Sequence, residues 1–340
     1  MPGMDCKKWC AFILKKVAKN SPKKMRLALM FQAKLLESGI SKPKIDRKIR
    51  KQGDFSGVTN TPRKTPLVVS LTTFPARMDD VYYAIYSLLN QTLKPDAVVL
   101  WLSTEECPGL ERDLPAKLLS LKKRGLTIQF AKNLKQYNKL MHSLTACPEA
   151  VVVTADDDVY YESDWLEKLY QSYLAEPAHI HCHRAYQIRF DDAGKILPYA
   201  QWKRRIAWSE TAPSFLNFIT GVGGVLYPPH CLHEEVLRED LFLKFSPFAD
   251  DIWFWAMAVL KGTKIRVVKN NTATLTYVNL ARDMSEDKAG TLFQINRSKN
   301  DEQLQAVLDY YNLTSILWKA FQAEYPTGTH TALSHPSAQI

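Results

Sequence analysis

From residue 66 onward, short apolar runs alternate with helical stripes. Leu67-Val68-Val69-Ser70-Leu71 is a β-rich run closed by Thr72-Thr73-Phe74-Pro75, after which Val81, Ile85, Leu88 and Leu89 recur at helical spacing. The unit repeats: Ala97 to Leu102 reads as a buried strand, Leu114 to Leu121 as a helix, and Leu126 to Phe130 as a third strand. A helix over 136–146 and a strand over Ala150 to Thr154 come next. Alternating β and α elements at this spacing predict an α/β domain whose mostly parallel sheet is covered by helices. Ligands in such sheets bind at the carboxyl ends of the strands, which directs attention to the residues just after each run.

Upstream the texture differs. Trp9, Phe12, Ile13 and Val17 form one stripe among lysines, and Leu27, Met30, Phe31 and Leu35 form a second after Ser21-Pro22. Both read as basic amphipathic helices, able to lie on an anionic membrane or to dock their apolar sides on the main domain. Residues 41–65 mix Pro, Gly and charge and read as a linker, and 325–340 as a disordered tail. The expected organisation is an arm over 1–40, the linker, a domain over 66–324 and the tail.

Charge sharpens this division. Residues 1–66 hold 17 Lys and Arg against four Asp and Glu, whereas 67–340 hold 28 against 31. The net +10 therefore belongs to the arm, and a slightly acidic body argues against a nucleic-acid partner. The longest apolar run, Ile252 to Leu260, is nine residues, too short for a membrane span of about 20. The N-terminus lacks a secretory pattern, and the six cysteines form no CxxC pair. Thiols in the cytosol are expected, with the protein peripheral on the inner face of the membrane.

The chemistry-bearing residues cluster after the strands. Asp156-Asp157-Asp158, beyond the run ending at Thr154, puts three carboxylates where repulsion demands cations or donors, and oxygen ligands favour Mg2+ or Mn2+ completed by phosphate. A solvated acidic turn capping the next helix is the plain alternative. Gly221, Gly223 and Gly224 mark a sharp turn or a close approach to a ligand. Asp250-Asp251 opens an apolar helix, where a carboxylate either caps the helix or acts on an acceptor hydroxyl. His179, His181 and His183 alternate as strand residues near an acceptor cleft, and Trp202, Trp208, Trp253 and Trp255 read as core before sugar platforms.

Together, SLTTFPAR (70–77), SLLNQTLKPDAVVLWLS (87–103), VVVTADDDVYYESDWL (151–166), TGVGGVLYPP (220–229) and FADDIWFWAMAVLKG (248–262) resemble bacterial glycosyltransferases of capsule or surface-polysaccharide loci. The order is similar to the nucleotide-sugar-binding fold called GT-A, and also resembles the C-terminal domain of exostosin-like glycosyltransferases. The resemblance implies a DxD motif at Asp156-Asp157-Asp158, with Asp158 and Asp156 on Mn2+ or Mg2+ that holds a donor diphosphate, UDP-sugar being the expected class. It implies a nucleotide pocket lined by Thr72, Thr73 and Arg77, a uracil or ribose contact at Asn138 and Lys139, and donor contacts at Gly223 and Gly224. It places Asp250 and Asp251 beside sugar and acceptor, and Arg282 within reach of the leaving phosphate. An inverting reaction would use Asp251 as base and a retaining one would use it to position the acceptor. The competing readings are a nucleotidyl- or phosphotransferase with the same carboxylate-metal site and a non-catalytic membrane-surface scaffold.

Overall fold

A computed structural model describes residues 6–22, 25–26, 29, 32–33, 40–53, 55–272, 274–279, 282 and 292–326. The second arm stripe, at Leu27, Met30, Phe31 and Leu35, and the tail beyond residue 326 lie outside these. In chain order the main elements are α1 (Cys6–Lys19), α2 (Lys42–Lys51), β1 (Leu67–Thr72), α3 (Met78–Leu89), β2 (Ala97–Ser103), β3 (Leu126–Ala131), α4 (Asn138–Ala146), β4 (Val151–Thr154) and α5 (Trp165–Ala175). They continue with β5 (Ile180–Cys182), β6 (Ala185–Gln187), β7 (Asn217–Ile219), β8 (Val225–Tyr227), α6 (Glu239–Phe245), α7 (Asp250–Lys261), β9 (Ile265–Val267), α8 (Leu292–Tyr311) and α9 (Thr314–Glu324).

Seven strands pair in the order β3-β2-β1-β4-β8-β5-β9, with β8 antiparallel to both neighbours and the other pairings parallel. The expected α/β class, a mostly parallel sheet between helices, is what forms. Period-two alternation sorts the strand side chains: Leu67, Val69, Leu71, Val151 and Val153 pack against α3 and α5. Val68, Val99, Trp101 and Val152 turn to the opposite face, where α4, α7, α8 and α9 cover them. Near-continuous apolar runs are what strands covered on both faces require.

Three details differ from the sequence pattern. Residues 42–51, expected within a linker, form a helix. Lysine and arginine dilute its apolar signal to Ile45 and Ile49, which pack on the domain core with Ile40. Polar contacts hold it: Tyr83 donates to Asp46 at 3.0 Å, Lys117 reaches Asp46 at 2.8 Å, and Lys42 pairs with buried Asp80 at 2.6 Å. Second, the helix expected over 114–121 shrinks to Ala116–Leu119 between 3-10 turns. Third, the reversed strand β8 lies beside β4, with only three residues and so no periodicity to read.

Among the described side chains of α1 the buried ones are Ala11 and Ala18, whereas Phe12, Ile13 and Val17 are 39%, 37% and 51% exposed. These three apolar side chains thus face outward, beside Lys16 and Lys19. No described helix is long and apolar enough to cross a membrane.

Candidate active site

The carboxyl end of β4 delivers Asp156, Asp157 and Asp158 to the same mouth as the loop after β1. Asp157 is buried and turned inward: Thr73 donates to it at 2.6 Å and Arg77 Nη1 at 2.7 Å. The same Arg77 nitrogen reaches Asp158 Oδ2 at 2.9 Å. Burial pushes the Asp157 carboxyl up, against the pull of Arg77 and Thr73. Tyr161 fixes the turn by accepting the Asp156 N–H at 2.7 Å.

The second acidic group arrives on α7. Asp250 and Asp251 stand in its first turn, where the helix dipole favours negative charge. Between the two groups lies Lys139, buried near the start of α4, with Nζ 3.0 Å from Asp156 Oδ1 and 3.2 Å from Asp250 Oδ2. Burial opposes its charge, but Asp156, Asp250 and Asp251 outweigh that and hold the ammonium well above the usual lysine range. Its backbone is anchored beneath: Ser70 donates to the Lys139 carbonyl, Ser143 to Ser70 at 2.8 Å, and the Trp101 indole to Ser143 at 2.9 Å. Asp250 Oδ2 is buried without a hydrogen bond among the described residues. Burial, then repulsion from Asp250, pushes Asp251 up to about 7, although the Gly221 N–H donates to both its oxygens at 3.1 Å.

Gly221 is therefore the glycine that faces the acidic group, because a Cβ there would stand 2.8 Å from Asp251 Oδ1. Gly223 and Gly224 look the other way. Gly224, at φ +94, lets the chain pass over the Trp165 indole, and the Gly223 carbonyl accepts that indole N–H at 2.8 Å. Three other expected donor contacts also lie apart from the carboxylates. Thr72 donates to the Trp101 carbonyl at 2.9 Å, and Asn138 accepts the Leu134 N–H at 2.8 Å. Arg282 pairs with Asp80 at 2.7 Å and donates to the Ala76 carbonyl at 3.1 Å, behind the loop that carries Arg77.

The histidines turn away from the site. His181 bonds Ser172 and the Glu176 carbonyl, and His183 lies between the Trp165 carbonyl and the Thr272 N–H, all on or beside α5. Burial pushes both down to about 4, so they are neutral structural links and not cleft residues. Trp202, Trp253 and Trp255 are core, while Trp208 is 36% exposed under Arg266.

Whether a divalent cation suits this mouth is a question of charge and donors. Asp156, Asp157, Asp158, Asp250 and Asp251 gather here around Arg77 and Lys139, so that carboxylates outnumber these two cations. Oxygen donors of this kind fit Mg2+ or Mn2+. No described set of three His, Cys, Asp or Glu side chains is placed to hold a metal. By their chemistry these carboxylates fit such an ion with phosphate and water completing its shell.

No family model matches the chain, and no curated protein matches it. Among solved structures, a mannosyltransferase of Pyrobaculum calidifontis, in complex with GDP-mannose and Mn2+, is 15% identical over 93% of this chain and 81% of its own, with a TM-score of 0.45. A CMP-2-keto-3-deoxy-manno-octonic acid synthetase in complex with CTP is 13% identical over 62% and 94%, at 0.36. The inositol-1-phosphate CTP transferase of T. maritima is 15% identical over 69% and 98%, at 0.39. Likenesses this distant leave substrate and reaction to be argued from the side chains.

Proposed function

We propose that this chain is a glycosyltransferase that moves a sugar from a nucleoside-diphosphate donor, of the UDP-sugar class, to a hydroxyl of a growing surface glycan. The observation that carries the reading is the meeting of two acidic groups, one at the end of β4 and one at the start of α7, across the buried Lys139. One group suits a diphosphate and its counter-ion, and the other suits an acceptor hydroxyl.

Asp158 and Asp156 are the residues that would hold Mg2+ or Mn2+, which when bound supplies Lewis-acid stabilisation of charge developing on the leaving diphosphate. Thr73 and Arg77 lock Asp157 and so set the angle at which Asp156 and Asp158 leave β4. Lys139 offsets the charge of Asp156 and Asp250 in a site where water screens little. Asp251, aimed by the Gly221 N–H, takes the proton of the acceptor hydroxyl, a base role that belongs to an inverting reaction.

The test is a panel of UDP-, GDP- and CMP-sugars offered to the purified protein with and without Mn2+, monitoring donor binding and slow hydrolysis. One donor class is expected to respond, and Asp158→Ala is expected to lose that response about 10- to 100-fold while keeping its melting temperature. Pyrophosphate release from a nucleoside triphosphate, with no sugar transfer, would instead make it a nucleotidyltransferase.

We also infer that the N-terminal elements hold the enzyme to an anionic membrane. Phe12, Ile13 and Val17 face outward on α1, and Lys44, Arg47, Lys48, Arg50 and Lys51 are exposed on α2 with no ion pair to any described residue. At roughly 1 kcal/mol per cation near such a surface, changing these five to glutamine should weaken sedimentation with phosphatidylglycerol vesicles by more than about 10-fold. Equal binding of the variant, or equal binding to neutral vesicles, would defeat the idea.

A further inference from the structure

The link between β5 and β6 carries Arg184, which is only 8% exposed yet makes no ion pair and no side-chain hydrogen bond with any described residue. Its Nε is buried without an acceptor. Arginine does not shed its proton, so it cannot escape this cost by neutralising as a buried lysine would. A buried Nε–H donor left without an acceptor is costly, and folds retain such a group where something else supplies the acceptor.

Its position says what that acceptor belongs to. The Arg184 carbonyl accepts the Thr220 N–H at 3.1 Å, and the next peptide N–H, of Gly221, holds Asp251. The Arg184 stem lies against Gly223, where a Cβ would stand 2.8 Å from its Cγ. The Arg184 backbone thus braces the Thr220–Gly221 link that holds Asp251, whereas Lys139 and Arg77 are turned toward Asp156, Asp157 and Asp158. Tyr199 packs against β6, the strand that follows Arg184, where the Ile206 N–H donates to the Ala185 carbonyl. Its ring is 5.5 Å from that of Tyr186, over which the exposed Arg204 sits at 5.8 Å. Two half-buried tyrosines with two cations form a wall that is aromatic and positively charged, beside an otherwise acidic group.

We propose that Arg184, assisted by Arg204, receives an oxyanion of the acceptor saccharide, either the carboxylate of an acidic sugar or a phosphate carried on it. The inference rests on the reading that Asp251 faces the acceptor. The planar guanidinium matches either group through two parallel hydrogen bonds, and a ligand that brings the missing acceptor removes the penalty of the empty site. A neutral acceptor would leave that penalty in place, so the pocket selects for acidic saccharides.

The experiment compares glucuronate, glucose 6-phosphate and glucose as probes of the full-length protein by calorimetry, with UDP plus Mn2+ titrated separately. Glucuronate or glucose 6-phosphate is expected to bind at least about 10-fold more tightly than glucose, and the better of the two identifies the oxyanion. Arg184→Met should erase that preference while the ligand-free variant melts no lower than the parent, because a buried Nε–H donor without an acceptor has been removed. Arg184→Gln serves should the methionine variant not fold, and Arg204→Gln should weaken the preference only in part. Equal binding of all three probes, or a preference that survives in Arg184→Met and Arg184→Gln, overturns the proposal. Acid-probe binding without UDP binding would uphold Arg184 and count against the donor reading; UDP binding with no acid preference would do the reverse.

Discussion

Lys139→Met is expected to be among the most damaging single changes in the domain. Removing a buried cation from between carboxylates strands the charges that it faced, which typically costs about 3–5 kcal/mol. Here Asp156 and Asp250 lose contacts of 3.0 and 3.2 Å, and Asp251 loses the charge that opposed its own burial. Transfer should fall by roughly 10²–10³ in kcat, the range seen when a preorganised charge is taken from a reacting centre. Urea unfolding at several pH values checks the assignment. The deficit should be large at pH 8 and narrow as the pH falls, because the stranded carboxylates can then take up protons. Adding Asp250→Asn should return part of the stability but none of the activity. A Lys139→Met protein as stable as its parent at pH 8 would show that the three carboxylates do not depend on this lysine.

Asp251→Asn should produce the opposite combination, lost activity in a protein of undiminished stability. The amide can still accept the Gly221 N–H, so the local geometry persists. A base that must be ionised, held near 7 in place of the ordinary 3.8, gives activity that climbs about tenfold per pH unit below 7 and levels off above it. Removing the base should lower kcat by about 10²–10⁴ and flatten that rise. Stability moves the other way. A carboxyl whose folded-state value is raised binds its proton more tightly in the native protein, so its contribution is fully present below about 4 and is lost as the pH rises through about 7. Between pH 5 and 8 the Asn variant should therefore lose less stability than the parent. A variant that keeps the parental pH profile of activity would remove Asp251 from the base role.

The parts of this arrangement legible in the sequence are those written in local pattern. Val151–Thr154 is continuous apolar sequence with three aspartates just beyond it, and the rule that ligands gather at strand ends is enough to mark the mouth. Asp250-Asp251 is conspicuous because it stands just before nine apolar residues. Lys139 is reached only through resemblance, as a donor contact, because in the linear pattern it is one polar residue ahead of Leu140 and Met141. Its role comes from four segments that are far apart in sequence. The glycine cluster shows the reverse limitation, since composition flags the turn but does not say that Gly221 faces Asp251 while Gly224 crosses Trp165. Arg184 gives no signal at all, because an unpaired cation is a property of its neighbours. Strands of three residues such as β5, β7 and β8 are shorter than the periodicity used to find them.

Asp80 gives the helix α2 a meaning for where the folded unit begins. This buried carboxylate collects Lys42 from α2, Arg282 at 2.7 Å and Asn279 at 3.2 Å from beyond β9, and it sits on α3 one turn after the loop that carries Arg77. Cutting the chain at Pro66, where the first strand invites it, would strip Asp80 of Lys42, Tyr83 of Asp46 and Tyr86 of Gln52, and would uncover the apolar ground beneath Ile45 and Ile49. The smallest self-sufficient fragment accordingly starts ahead of Ile40, and α2 belongs to the architecture of the domain.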